Sequence, residues 1–295
     1  MGKCLVTKLN GTVNNNDLLH IGECVIGVES SSVNELLFQA DLGSTEYYCE
    51  QSHVLGEENV NAGEKRAIES WKDIKSSAVG LYRFHFLNKY SIRGLLEKSI
   101  KGINEINQVN YLNNITQLAL GLNSAAVFDL NTLKQSTYLK RLLLKGNVTG
   151  DISSLKNMTA LTNFSGTLFI KGKAEELKML SSLTSFNCGN AVNKGDFGDI
   201  ATLPASFVYL FIGSNASISW TSRPSTSKII GIFGSPKLSN IDKMLQDQAQ
   251  CVTGITSSTA EFMKSITATG TRTSASDAAV QTLQSKGYTV SITPA

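Results

Sequence analysis

The residue types that most often carry chemistry are sparse in this chain of 295 residues and form no known site. Its three histidines, His20, His53 and His85, lack the spacing of metal ligands. There is no GxSxG, P-loop or GxGxxG element, and no pair of acids has the context of a glycosidase. We therefore predict a protein that is not an enzyme and that uses no cofactor or metal.

The cysteines also argue against redox or metal chemistry. They are scattered and odd in number, and no CxxC occurs: Cys4, Cys24, Cys49, Cys188 and Cys251. Such a set is typical of small buried thiols in a reduced protein.

Apolar residues in the second half of the chain recur with a regular spacing. The pattern is apolar-x-x-apolar, at Ile115/Leu118, Leu139/Leu142, Leu161/Phe164, Leu183/Phe186, Phe207/Leu210, Ile229/Ile232 and Val252/Ile255. The first members are 24, 22, 22, 24, 22 and 23 residues apart. A unit of this size cannot bury its apolar face alone, so the spacing predicts strands that stack as neighbours.

A second marker accompanies these units. Asp-[Leu/Ile]-x-x-Leu begins at Asp129, Asp151 and Asp199, and a variant with glutamate begins at Glu176. An aspartate accepts hydrogen bonds from the free amides of a first helical turn. Each unit is therefore predicted to contain a strand, a loop, one capped helical turn and a return.

These units resemble the leucine-rich-repeat family, in an irregular bacterial or viral form, over roughly residues 90–256. The motif L-x-x-L-x-L-x-x-N is complete in Leu139, Leu142, Leu144 and Asn147, whereas Gly166, Cys188 and Gly234 depart from it. The resemblance implies an α/β fold: a leucine-rich-repeat solenoid, preceded by a small β-rich module and closed by a helix-strand cap. The alternative is an ordinary α/β domain with accidental spacing.

Three domains are predicted: a β-rich attachment module at 1–88, the solenoid at 89–256 and a carboxy-terminal cap at 257–295. In the first, strands are expected at 3–9, within 21–28, at 45–49 and at 79–87, with a helix at 63–76. Ile92 and Leu95 precede Ile115 and Leu118 by 23 residues and are predicted to form a degenerate capping repeat. In the cap, helices are expected at 258–267 and from Ser276 to Gly287, followed by a strand at 288–292.

Charge is unevenly distributed along the chain, although the net charge is only +3. From Leu9 to Glu64 there are ten acids and no Lys or Arg, whereas residues 101–195 carry ten Lys or Arg against five acids. The acidic stretch is either a solvated face or a surface that docks on a basic partner, including the middle of another copy. Nothing in the overall charge indicates nucleic acid or a membrane.

The two ends suggest where the protein resides. The first residues contain no long apolar segment, which predicts no signal peptide, and the last hundred residues are poor in charge and rich in Ser, Thr, Gly and Asn. The opening Met1–Glu23 resembles virion proteins of crAss-like phages of gut Bacteroidetes. That resemblance implies a shared attachment element and location in a virion that assembles in the host cytoplasm.

Strand residues between the buried apolar positions should face outward. The outward set is Gln117, Ala119, Arg141, Leu143, Asn163, Ser165, Ser185, Asn187, Tyr209, Phe211 and Phe233. Within it, Leu143, Tyr209, Phe211 and Phe233 are large apolar side chains, and with Arg141 they are the predicted binding residues. The alternative is that the cap or a nearby loop covers them.

The predicted function is a non-enzymatic structural component of a phage particle, either a capsid decoration or a head-fibre-like protein. Its amino-terminal module would anchor it, and its partners would be other virion proteins, copies of itself or a host surface ligand. The alternative is a leucine-rich-repeat adhesion or recognition protein that binds a host surface protein or glycan. A third hypothesis is an intracellular bacterial scaffold.

Overall fold

The computed structural model describes residues 24–43, 45–99, 102–107, 112–168, 172–188, 195–254 and 263–295. The strand predicted at 3–9 and the whole opening segment Met1–Glu23 lie outside the described residues.

Strands dominate the described part of the chain. In the first third they are β1 Cys24–Ser30, β2 Leu36–Asp41, β3 Glu46–Cys49, β4 His53–Leu55, β5 Glu58–Val60, β6 Arg66–Ala67, β7 Lys72–Ser76, β8 Gly80–Phe86, β9 Gly94–Glu97 and β10 Ile103–Asn107. The remainder are β11 Gln117–Gly121, β12 Phe128–Asp129, β13 Arg141–Thr149, β14 Asn163–Leu168, β15 Ser185–Cys188, β16 Gly195–Asp199, β17 Tyr209–Ile212, β18 Ala216–Ser219, β19 Gly231–Phe233, β20 Lys237–Leu238, β21 Ser265–Thr269 and β22 Thr289–Thr293. Two α-helices occur in the described residues, α1 Ile241–Gln250 and α2 Asp277–Ser285.

The amino-terminal strands form antiparallel sheets. One sheet has the order β10-β1-β8-β3-β6, and β5, β4, β7 and β2 pair antiparallel in a second. Phe38 packs edge-on against Phe84 with ring centroids 5.3 Å apart, which ties the two sheets into one core. Strand β2 also pairs antiparallel with β9, across the predicted domain boundary at 88/89.

From β9 onward the second sheet continues as a parallel ladder through β11, β13, β14, β15, β17, β19, β21 and β22. The inward residues pair in register: Leu95, Leu118, Leu142, Phe164, Phe186, Leu210, Ile232 and Ile266. All of them are buried, and the rings of Phe164 and Phe186 stack with centroids 4.7 Å apart. The periodic apolar pattern therefore predicted the strand register correctly from Leu95 to Ile232.

The α/β leucine-rich-repeat solenoid predicted from that pattern is nevertheless wrong as a fold class. The structure is β-rich, with large mixed sheets, and the ladder strands from β11 to β17 are joined through short 3-10 turns rather than α-helices. These turns are Leu130–Leu133, Ile152–Leu155, Ala174–Leu177 and Ile200–Thr202. Returns of three or four residues fix too few hydrogen bonds to sustain an α-helix.

Three of the four predicted caps are confirmed. The carboxylates of Asp129, Asp151 and Asp199 each accept from the backbone N–H two residues later. The glutamate variant is wrong, because the turn Ala174–Leu177 begins after Lys173, which makes no side-chain cap bond.

Two predicted helices are also wrong. Residues 63–76 contain β6 and β7, where Ile74 is buried but Ala67 and Trp71 are exposed. A short apolar run fits either a helix or a strand period, and pairing with β2 and β4 decides for the strand. Of the helix expected at 258–267, residues 258–262 lie outside the described range, while β21 begins at Ser265.

The seventh unit departs from the ladder. Val252 is 46% exposed and makes only an isolated bridge to Lys228, and Ile255 lies outside the described residues. Helix α1 occupies the intervening chain, and its buried Gln248 satisfies both backbone groups of Ile230, at 2.6 and 3.0 Å. The next ladder strand is therefore β21, 34 residues after β19 when counted from Ile232 to Ile266.

From Ser276 onward the carboxy-terminal end agrees with its prediction. Helix α2 and strand β22 lie where a helix and a final strand were expected, and β22 pairs with β21. Cys24, Cys49, Cys188 and Cys251 are buried thiols, as predicted, and burial raises the pKa of the Cys49 thiol to about 12. Cys4 lies outside the described residues.

Candidate functional site

The outward face of the parallel ladder carries all five predicted binding residues. Arg141 pairs with Asn163, Asn163 with Ser185, and Ser185 with Tyr209, which gives one row across the strands. Leu143, Ser165, Asn187, Phe211 and Phe233 form the parallel second row. Because strand residues alternate between faces, both rows lie opposite the buried ladder of Leu142 and Phe164.

Phe211 and Phe233 form an aromatic pair at one end of this face. Their ring centroids are 4.9 Å apart at 80°, an edge-to-face arrangement. Phe233 is 37% exposed and Phe211 is half-buried. The predicted outward direction of these two rings is what the structure shows.

Tyr209 differs from its neighbours because it is covered. It is only 5% exposed, and burial raises the pKa of its hydroxyl to about 12. A Cβ on the adjacent Gly231 would lie 1.8 Å from the carbonyl oxygen of Met263, so that backbone lies directly over Gly231. For Tyr209 the alternative of a covering segment is therefore the right one.

Arg141 and Leu143 lie at the other end of the face and do not join the aromatic pair. Strands β14 and β15 separate them from β17, and four strand spacings of about 4.8 Å place β13 about 19 Å from β19. The intervening residues are polar: Asn163 Nδ2 donates to Ser185 Oγ at 2.7 Å, and Ser165 and Asn187 are half-buried.

A cleft of about 470 Å³ opens beside Arg141 and Leu143. It lies between the ends of β9, β11 and β13, and its lining also includes Glu97, Gly121 and Lys145. This cleft could not be predicted from the sequence, because its lining comes from three strands and the residues next to them, which meet only in the ladder.

Glu97 is the acidic residue in the lining of this cleft. Its Oε2 accepts from the N–H of Gly121 at 3.0 Å, while its Oε1 is buried without a hydrogen-bond partner among the described residues. Burial raises the pKa of Glu97 to about 7, although the N–H groups of Gly121 and Ser99 oppose that shift. A Cβ on Gly121 would lie 2.7 Å from Oε2, so a larger residue there would displace the carboxyl.

The two described histidines are engaged by neighbouring aromatic and polar groups. His53 is buried, with Nδ1 3.2 Å from the carbonyl oxygen of Gln51 and Nε2 2.7 Å from the hydroxyl of Tyr47. Since a carbonyl only accepts, Nδ1 carries the proton and Nε2 accepts from Tyr47. His85 stacks on Tyr48, with ring centroids 4.3 Å apart.

The acids of the predicted acidic stretch are largely engaged within the chain. Glu35 is buried and accepts from the hydroxyls of Ser30 and Ser99. Glu50 pairs with Arg83, at 3.6 Å. Such internal partners leave less free acidic surface than the sequence suggested, while Asp17 and Glu23 lie outside the described residues.

The part of the chain that the structure describes shows neither a metal-binding cluster nor a membrane-spanning helix. It holds no group of three or more His, Cys, Asp or Glu side chains placed to bind a metal. No helix there is both long and apolar enough to cross a membrane.

Comparisons with protein-family models, with curated proteins and with solved structures gave no match to this chain.

Proposed function

We propose that this chain is a non-enzymatic structural component of a phage particle, and that its ladder face docks on another protein of that particle. The observation that carries the proposal is the outward pair of Phe211 and Phe233, whose rings lie 4.9 Å apart with Phe233 37% exposed. Aromatic side chains anchor protein interfaces more often than other types. Burying such a ring contributes about 1.5–3 kcal/mol, which is enough to decide whether a contact forms.

The rest of the face fits an interface of this kind. The half-buried Ser165 and Asn187 continue the row beside the pair and offer hydrogen bonds at its edge. A polar border around an apolar centre is the usual anatomy of a protein–protein contact. The resemblance of Met1–Glu23 to virion proteins supplies the setting, a particle whose subunits share an attachment element.

The double variant Phe211→Ser/Phe233→Ser tests the docking role. It should stay folded, because both rings lie outside the buried ladder, but it should be missing from purified particles that incorporate the unchanged chain. Met179→Ser is the matched control, because Met179 is a large apolar side chain that is 65% exposed away from this face. Quantitative mass spectrometry of purified particles measures the incorporation.

Equal incorporation of the double variant and the unchanged chain would show that the aromatic pair makes no contact in the particle. Loss of the Met179→Ser control would show that incorporation responds to any surface change, and the aromatic face would lose its assigned role.

A further inference from the structure

The cleft beside Arg141 is rich in cations that the fold does not neutralise. Lys98, Arg141 and Lys145 all line it, and all three are exposed. None of them forms an ion pair with a carboxylate in the described part of the chain. A concave site lined by charges of one sign raises the local concentration of oppositely charged ligands.

The floor of the cleft is different in character. Leu96, Ala119 and Leu143 supply apolar surface, and Ser99 contributes a hydroxyl at the edge. Glu97 is the acid in the lining, and the charged groups that act on it are Glu35 and Lys145. The cleft therefore combines an apolar floor, a cationic rim and one carboxyl that gains and loses its charge near neutral pH.

We propose that this cleft binds an acidic saccharide, with the sugar carboxylate held by Arg141 and Lys145 and the ring resting on Leu143 and Ala119. A guanidinium offers two parallel donors that match the two oxygens of a carboxylate. A volume of about 470 Å³ lies within the usual range of small-ligand pockets and suits one or two sugar rings. The inference stands on this cleft alone and does not depend on the docking role of the aromatic pair.

A phosphate group fits the same cleft less well. Phosphate sites usually gather several free backbone N–H groups at a loop or helix start. Here the N–H of Gly121 is already taken by Glu97 Oε2, at 3.0 Å. A second negative charge on the ligand would also be repelled more strongly by Glu97 when that carboxyl is ionised.

Isothermal titration calorimetry on the full chain tests the proposal with glucuronate and N-acetylneuraminate as ligands, and with glucose and inorganic phosphate for comparison. We expect saturable binding of at least one acidic sugar. Glucose and phosphate should bind with an affinity lower by about tenfold or more, which corresponds to the loss of one charge-assisted contact. Arg141→Gln/Lys145→Gln should lower the affinity for the acidic sugar by at least the same factor. The matched control Lys134→Gln/Lys178→Gln removes two exposed lysines from the side of the 3-10 turns and should bind normally.

A pH series separates the cleft from general charge attraction. The sugar carboxylate stays ionised from pH 6 to pH 8, whereas Glu97 loses its proton over that interval, so affinity should fall several-fold. Glu97→Gln should remove most of this fall. The proposal would be overturned by tight phosphate binding or by the absence of saturable binding of both acidic sugars. It would also be overturned by an equal loss of affinity in the control double variant, or by a pH profile that Glu97→Gln leaves unchanged.

Discussion

At the scale of single residues, Arg223 and Glu97 are two polar side chains whose surroundings the sequence did not reveal. Arg223 is only 6% exposed, and its guanidinium donates to the carbonyl oxygens of Leu203 and Pro204, both at 2.9 Å. It therefore joins the chain after one 3-10 turn to the loop before β19. Glu97 is the opposite case, because one of its oxygens lacks a partner among the described residues. A buried polar atom left unsatisfied costs stability.

The pH dependence of stability follows from Glu97. Its folded-state pKa is raised to about 7, chiefly by burial, against about 4.5 when unfolded. The folded state therefore holds the proton more tightly, and this stabilisation is present below pH 4.5 and is lost as the pH rises through 7. Because of Glu97, thermal melts should show lower stability at pH 8 than at pH 5.

Glu97→Gln isolates that contribution. The pKa displacement corresponds to at most about 3 kcal/mol, and partial exposure reduces the expected gain to about 1–2 kcal/mol at pH 8, with little change at pH 5. Glu58→Gln is the control, since its side chain is 71% exposed. Equal effects of Glu97→Gln at the two pH values would contradict the assigned protonation.

At the scale of secondary-structure elements, the parallel ladder is held by stacked inward side chains rather than by helices. Leu142 and Phe164 are each 1% exposed and pair directly across β13 and β14. The glycines at the turns allow the strands to pack closely. Gly150, for example, has φ +110°, and a Cβ there would lie 2.8 Å from the cap carboxylate of Asp129. The cap carboxylate of Asp151 likewise lies 2.9 Å from where a Cβ on Gly172 would be, whereas that of Asp199 accepts from Thr221 in the next unit.

Truncation of the inward row should be far more costly than truncation of the outward row. Leu142→Ala should lower the free energy of unfolding by about 2–5 kcal/mol, because it leaves a cavity between β11 and β14. Gln117→Ala, at a half-buried outward position of β11, should lower it by less than about 0.5 kcal/mol. Denaturant titration of the two variants measures both values, and similar losses would contradict the register.

At the scale of the whole molecule, the sequence predicted the register of the ladder but not its fold class. The spacing of Leu118, Leu142 and Phe164 was informative because each contributes to one continuous buried row. The same pattern could not show that the returns are 3-10 turns, because a capped turn of four residues has the same local signal as the start of an α-helix. The position of β21 was missed because α1 and its Gln248 interrupt the period.

The sequence likewise predicted only some of the candidate site residues correctly. Strand alternation alone predicted the outward Phe211 and Phe233. Tyr209 looked equivalent, and only the path of the chain at Met263 shows that it is covered. The cleft at Glu97 could not be predicted from the sequence. Gly121 lies 24 residues after Glu97 and Arg141 lies 20 residues after Gly121, and only strand pairing brings the three together.

Oxidative footprinting by hydroxyl radicals tests the docking face most directly, because it reports side-chain exposure in the isolated chain and in the intact particle. Phe233 and Phe211 should be oxidised in the isolated chain and protected in the particle, while Met179, on the side of the 3-10 turns, should be oxidised equally in both. Equal oxidation of the two phenylalanines in the isolated chain and in the particle, or protection of Met179 alone, would contradict it.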